Sequence, residues 1–193
     1  MENALLLKIT EVVEALSLPL PLDVRKTLPV NASGRIFRLR EVAKLKGLVA
    51  HQELGWMSIV DTARYHISPK CHVAPGQGME SLLYSMAIDE KGIIHICNDF
   101  NKATWSQGDR NRAGDENAEF LAVMFVGNFN GEGHSGTKRA EPNHAQLLSF
   151  MILWQACKDL WGWSDKDLYG HYHFGKKACP GNTLKTIIES VRR

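Results

Sequence analysis

Apolar side chains recur at Leu5, Ile9, Val12, Val13 and Leu16, the spacing of one helical face, so a short amphipathic helix is expected over residues 4–16. Pro19, Pro21, Pro29 and the run Asn31-Ala32-Ser33-Gly34 then interrupt regular structure, which makes residues 17–35 a connector. The chain accordingly reads as a helical extension with its linker, 1–35, followed by a main domain, 36–193. From residue 47 the pattern changes to short apolar runs bounded by turn residues: Leu48-Val49-Ala50, Leu82 to Ile88, Ile93 to Cys97 and Leu121 to Val126. These predict strands.

Glu90-Lys91-Gly92 is a tight connection of the kind that joins antiparallel neighbours. Two helices are expected to close the chain. One follows Pro142 and sets Leu147, Phe150, Met151, Trp154, Cys157 and Trp161 on one side; the other starts beyond Pro180-Gly181-Asn182 and carries Leu184, Ile187, Ile188 and Val191. Together these elements predict a mixed central sheet flanked by helices, in the α/β or α+β class.

A chain of 193 residues that is 44% hydrophobic can bury one substantial core. Its 23 basic and 21 acidic residues leave a net charge of +2 without a broad basic field, which argues against nucleic-acid binding. The start, Met1 to Lys8, carries Glu2 where a secretory signal would be basic, and Lys8 and Glu11 break its apolar run. Synthesis in the cytoplasm without membrane insertion is the expectation. Four cysteines (Cys71, Cys97, Cys157, Cys179) lack close CxxC spacing, so reduced thiols are expected in place of a disulfide framework.

The most informative segment is Gly170-His171-Tyr172-His173-Phe174-Gly175-Lys176-Lys177-Ala178-Cys179-Pro180-Gly181. Imidazole and thiolate are the ligand types zinc favours, and three protein ligands would leave one position for a reactive water. His51, at the end of the expected strand Leu48-Val49-Ala50, is a candidate for the third. Taken singly, each residue has an ordinary alternative: a hydrogen-bonded histidine, or a cysteine that is merely buried.

From about residue 46 to 193 the chain resembles the N-acetylmuramoyl-L-alanine amidases of the phage lysozyme and peptidoglycan recognition protein group. Four elements carry the resemblance, in the family order: Leu48-Val49-Ala50-His51; the hairpin from Leu83-Tyr84 to Lys91-Gly92; Val126-Gly127-Asn128-Phe129; and Gly170 to Gly181, with a lysine two places before the cysteine. The resemblance implies Zn2+ held by His51, His171 and Cys179, with Tyr84 and Lys177 as catalytic helpers. It further implies hydrolysis of the amide between N-acetylmuramic acid and L-alanine in peptidoglycan. Some relatives carry a glutamate base in the strand before the Gly-Asn-Phe turn, where this chain is apolar from Leu121 to Val126. That tilts the expected mechanism to the phage-lysozyme style. The missing export signal fits a monomeric phage or prophage endolysin that meets the wall after release. The alternatives are a cytoplasmic muropeptide-recycling amidase and a binding module that holds peptidoglycan fragments without cutting them.

The sequence departs from the family at two places. Gln52 stands where many members have a second histidine, and Ser106, after Trp105, replaces a histidine in the loop that faces substrate. His66 matches a cleft-facing helical position but reads equally as a buried, hydrogen-bonded histidine. His173 is expected to point away from the metal, Trp56 and Trp105 are candidate substrate contacts, and Asn128 to Arg139 reads as a loop at the cleft edge.

Overall fold

The protein is described by a computed structural model covering residues 1–108, 115–130 and 141–193. Most of the expected cleft-edge loop, including His134 and three of its glycines, lies outside the described residues. In chain order the elements are α1 (Glu2–Ala15), β1 (Leu22–Asp23), β2 (Arg38–Leu39), β3 (Gly47–Gln52), α2 (Ile59–Ile67), β4 (Met86–Ile88) and β5 (Ile94–Ile96). There follow β6 (Lys102–Ala103), α3 (Glu116–Glu119), β7 (Phe120–Phe125), α4 (His144–Trp161), β8 (Leu168–Gly170) and α5 (Asn182–Val191).

One sheet runs in the order β1-β5-β4-β7-β3-β8. Its centre is parallel, with β4, β7, β3 and β8 aligned, and β5 returns antiparallel to β4 across the hairpin the sequence predicts. All six residues of β3 and all six of β7 are buried. Strands covered on both faces read as unbroken apolar runs, as these do. Against one face pack Leu5 and Ile9 of α1, Phe150, Leu153 and Trp154 of α4, and Leu184 and Ile188 of α5. Against the other pack Ile59 and Ala63 of α2 together with Leu28.

Local signals set the ends of α4. Asn143 and Gln146 form a reciprocal capping box, and Gly162 closes the helix in the left-handed region at φ 69°. Met151, expected on the core side of this helix, is 39% exposed. In α1 the buried line is Leu5, Ile9 and Val13, whereas Val12 and Leu16 face solvent. Steps of four residues drift only slightly around a helix, so this line meets the core and a neighbour one residue away turns out of it.

The strand expected over 82–88 shortens to its last three residues. The Asn98 side-chain amide donates to the carbonyls of Leu82 and Tyr84, both at 2.8 Å, and so satisfies backbone that a ladder would otherwise pair. The connector supplies β1, which adds to the sheet edge in parallel with β5. Arg25 then ties this edge to α1 and to the turn after β5, reaching Asp23 at 2.6 Å and Glu2 and Asp99 at 2.7 Å each. No helix among the described residues is long and apolar enough to cross a membrane.

Since Leu5, Ile9 and Val13 share the main buried cluster with β3 and β7, Ile9→Ala should lower unfolding free energy by about 2–5 kcal/mol. Denaturant titration reads this directly; a loss under ~0.5 kcal/mol, the range of an ordinary surface change, would show that α1 is not held on the core.

Candidate metal centre

Parallel pairing sets the site. β3 lies between β7 and β8, and the register Ala50↔Gly170 places the carboxyl ends of β3 and β8 side by side. His51 is the next residue of β3 and His171 the first residue beyond β8, and their rings meet with centroids 4.4 Å apart. Open parallel sheets bind ligands at this end of their strands. Glycine before His171 leaves room for the Tyr172 ring, since a Cβ on Gly170 would lie 2.3 Å from Cε1 of Tyr172 and displace it.

The chain then makes a single 3-10 turn over His171–Phe174 and folds back, Lys176 N–H donating to the His171 carbonyl and Cys179 N–H to that of Lys176. Cys179 Sγ ends 3.8 Å from His51 Nδ1. Ligand atoms of His51, His171 and Cys179 all lie within 4.8 Å of one another. Two ligands of a tetrahedral zinc stand about 3.6 Å apart for an N,S pair, given ordinary Zn–N and Zn–S bonds. These three residues can therefore hold a metal ion.

Hydrogen bonding agrees. His171 Nε2 donates to the Gln107 carbonyl at 2.9 Å, which leaves Nδ1 unprotonated and turned to the cluster. His51 Nε2 is buried without a hydrogen-bond partner. Burial holds His51 well below the usual imidazole range, helped by the neighbouring His171, and lowers His171 to about 4. Both rings are thus neutral, as ligation demands. Burial pushes the Cys179 thiol up to about 12, against a backbone hydrogen bond from Gln52 and the charge of Lys176.

Tyr84 stands beside His51, ring centroids 5.1 Å apart. Its phenol is raised above its ordinary range, by burial first and then by Cys179 and Glu53, so it stays protonated and able to donate. Lys177 is exposed. The ammonium whose field reaches His171 and Cys179 is that of Lys176.

Gln52 clamps the site from behind. Its amide nitrogen donates to the Ala178 carbonyl at 2.8 Å and to Asn130 Oδ1 at 2.9 Å, and its oxygen accepts the Phe129 N–H at 2.6 Å. The glutamine thereby fixes the Cys179 loop to the Gly-Asn-Phe turn. Gly181 belongs to the same junction, since a Cβ there would lie 2.5 Å from the Phe129 carbonyl oxygen. Ser106, the other departure, is buried and donates to Gln107 Oε1 at 2.5 Å.

The remaining candidates fall outside the cluster. His66 is buried on α2, where its Nδ1 accepts the Leu83 N–H at 3.3 Å and its ring lies 5.8 Å from that of Tyr84. His173 turns to Gly170 and Tyr172, carried there by the 3-10 turn in place of the extended chain the spacing suggested. Trp56 packs edge-on against Phe129 at 6.0 Å, and the Arg35 guanidinium covers the Trp105 ring at 3.6 Å. All four cysteines are free thiols. Spacing alone gave no hint of Gln107, whose contribution to His171 is a main-chain carbonyl, or of Glu53, whose carboxylate is held by the Gly55 and Met57 N–H groups.

The N-acetylmuramoyl-L-alanine amidase family matches this chain over residues 41–182, so the chain belongs to that family. A comparison with curated proteins finds no match. Among solved structures, the chain is similar to the endolysin amidase LysCS from Clostridium intestinale, at 19% identity over 90% of this chain and 95% of that one, TM-score 0.61. It is also similar to the tracheal cytotoxin complex of the peptidoglycan recognition proteins LCa and LCx, at 16% identity over 87% and 93%, TM-score 0.65. The Ph2119 endolysin from a Thermus scotoductus bacteriophage matches at 16% identity over 89% and 97%, TM-score 0.60. At these identities the likeness shows the shared fold: a mixed sheet flanked by helices.

Burial of neutral histidines makes the metal-free protein acid-sensitive. Unfolded histidine titrates near ~6.5, whereas His171 sits at about 4 and His66 at about 3 in the fold. Across that interval the unfolded chain binds more protons, so stability is full above ~6.5 and falls as pH drops, by roughly 1.4 kcal/mol per pH unit for each histidine. Melting temperature of the metal-free protein should decline below pH ~6.5. A flat profile down to the pKa of His171 would contradict the burial.

Proposed function

We propose that this protein is a zinc-dependent amidase that hydrolyses the bond between the lactyl carbonyl of N-acetylmuramic acid and L-alanine in peptidoglycan, in the setting of a phage or prophage endolysin. The observation that carries the reading is the convergence of His51, His171 and Cys179 at one strand end, with the Tyr84 ring against the first of them. Zinc, held by the neutral imidazoles of His51 and His171 and the sulfur of Cys179, would supply Lewis acidity toward the amide and toward water.

The chain's own side chains do the rest. Amide cleavage develops negative charge on the carbonyl oxygen, and the Tyr84 phenol, kept protonated by its surroundings, is a donor for it. Lys177, exposed on the loop that bears Cys179, is the cation assigned to the same oxygen. Gln52 holds that loop against β3 and limits how far the thiolate can stray.

A recognition module without catalysis is the second reading, favoured by the neighbour whose structure holds tracheal cytotoxin. Retention of a cysteine in the cluster supports hydrolysis over it. A purely structural zinc normally takes four protein ligands, and the cluster among the described residues has three.

Purified protein should carry about one zinc per chain and should release peptides with a new L-alanine amino terminus from sacculi. Cys179→Ser should lose both the metal and the release; full activity in that variant would end the zinc mechanism, and sacculus binding without release by the unsubstituted protein would establish the recognition module.

Tyr84→Phe and Lys177→Ala should each keep zinc while turnover falls, by on the order of 100-fold for a lost oxyanion donor. Unchanged turnover in either removes that residue from the chemistry.

A further inference from the structure

We infer that Asn117 is a positioning residue for His171, acting through Gln107 to fix the ring's tautomer and its aim at the metal; this rests on the metal-site reading above. Gln107 and Asn117 are both fully buried, one in the segment after β6 and the other in the short helix α3. The Asn117 side-chain oxygen accepts the Gln107 N–H at 3.0 Å, and the Gln107 carbonyl accepts His171 Nε2–H at 2.9 Å. One residue therefore has its donor anchored by Asn117 and its acceptor aimed at the imidazole.

The acceptor selects a tautomer. A His171 protonated on Nδ1 would turn an Nε2 lone pair toward the Gln107 carbonyl oxygen, whereas the Nε2–H form makes the hydrogen bond and frees Nδ1 as a ligand. The far end of the relay is itself held. Arg40 lies inside the fold and its Nη1 donates to the carbonyls of Asn117 at 2.7 Å and Phe120 at 2.6 Å, while its Nε donates to that of Phe100 at 2.7 Å. Its other nitrogen reaches Ser85 Oγ, next to Tyr84, at 3.3 Å. Three main-chain carbonyls around one guanidinium leave α3 and the start of β7 little freedom, and Asn117 inherits that rigidity.

Asn117→Ala should leave the Gln107 N–H without its acceptor and loosen the carbonyl that His171 reads. Two measurements test this on the full chain: zinc affinity by chelator competition, and the His171 tautomer in metal-free protein by imidazole nitrogen NMR. Wild type should show the Nε2–H form, and the alanine variant a mixture, with zinc bound about tenfold more weakly. Asn117→Asp keeps an acceptor oxygen at the same reach and should restore both. Asn117→Leu, close in shape but without an acceptor, replaces the alanine variant should that protein fail to fold. Wild type that takes up no zinc sinks the metal reading and this inference with it. Zinc binding in wild type that the alanine or leucine variant leaves intact, with the tautomer unmoved, overturns the positioning role alone, even if that variant melts at a lower temperature.

Discussion

The site depends on a register. β3 is hydrogen-bonded in parallel to β7 on one side and to β8 on the other, and the pairing of Ala50 with Gly170 brings His51 of β3 level with His171, the first residue after β8. They are far apart in sequence. A slip of one residue in either strand would turn one ring to the opposite face of the sheet, since side chains alternate with period two. Such a slip would also exchange the residues that pack into the two apolar layers, Leu48 and Ala50 of β3 on one side among them, so the packing that selects the register also selects the site. The geometry of the cluster is then inherited from packing, and the loops refine it.

Refinement comes from two buried clamps. On one flank Gln52 bonds the Ala178 carbonyl, Asn130 and the Phe129 N–H, which joins β3 to the loop carrying Cys179. On the other flank Gln107 presents a carbonyl to His171 and is itself tied to Asn117. Both clamps use amide side chains, which supply donors and acceptors without adding charge near Cys179. Arg40 is the exception in kind, a buried cation lowered to about 10 by its burial and spread over main-chain carbonyls away from the cluster.

Much of this was legible in the residues and some was not. The apolar runs that became β3, β7 and the hairpin are read from periodicity, because burial on both faces leaves an uninterrupted hydrophobic signature. The candidate ligands His51, His171 and Cys179 were nominated through motif resemblance, and the structure brings all three together. Neither β1 nor β6 was visible: each is two residues long, and such strands are defined by the partner they meet. The shortening of the 82–88 strand was hidden for a similar reason, since it turns on Asn98, a residue distant from the apolar run. Gln107 acts through its backbone, which has no sequence signature at all. Lys176 and Lys177 are adjacent in the motif and both exposed, and only the turn that leads to Cys179 decides that the charge of Lys176 is the one that reaches the candidate ligands.

Burial and metal binding pull the cysteine in opposite directions, and the balance between them sets how the site behaves when empty and when filled. Burial favours the neutral forms, with Cys179 raised to about 12 and His171 lowered to about 4, so the metal-free pocket carries almost no charge of its own. A divalent cation reverses the preference at the sulfur, because its own charge dominates the local field and a coordinating thiol is deprotonated outright. The histidines need no such reversal, being neutral already. Uptake of a divalent cation there would release one proton, from Cys179, so that affinity would rise with pH through the thiol while the imidazoles stay neutral throughout the neutral range. The Gln52 backbone hydrogen bond and the Lys176 charge both lower the thiol against its burial, and they therefore act on the single step that separates the resting pocket from the loaded one.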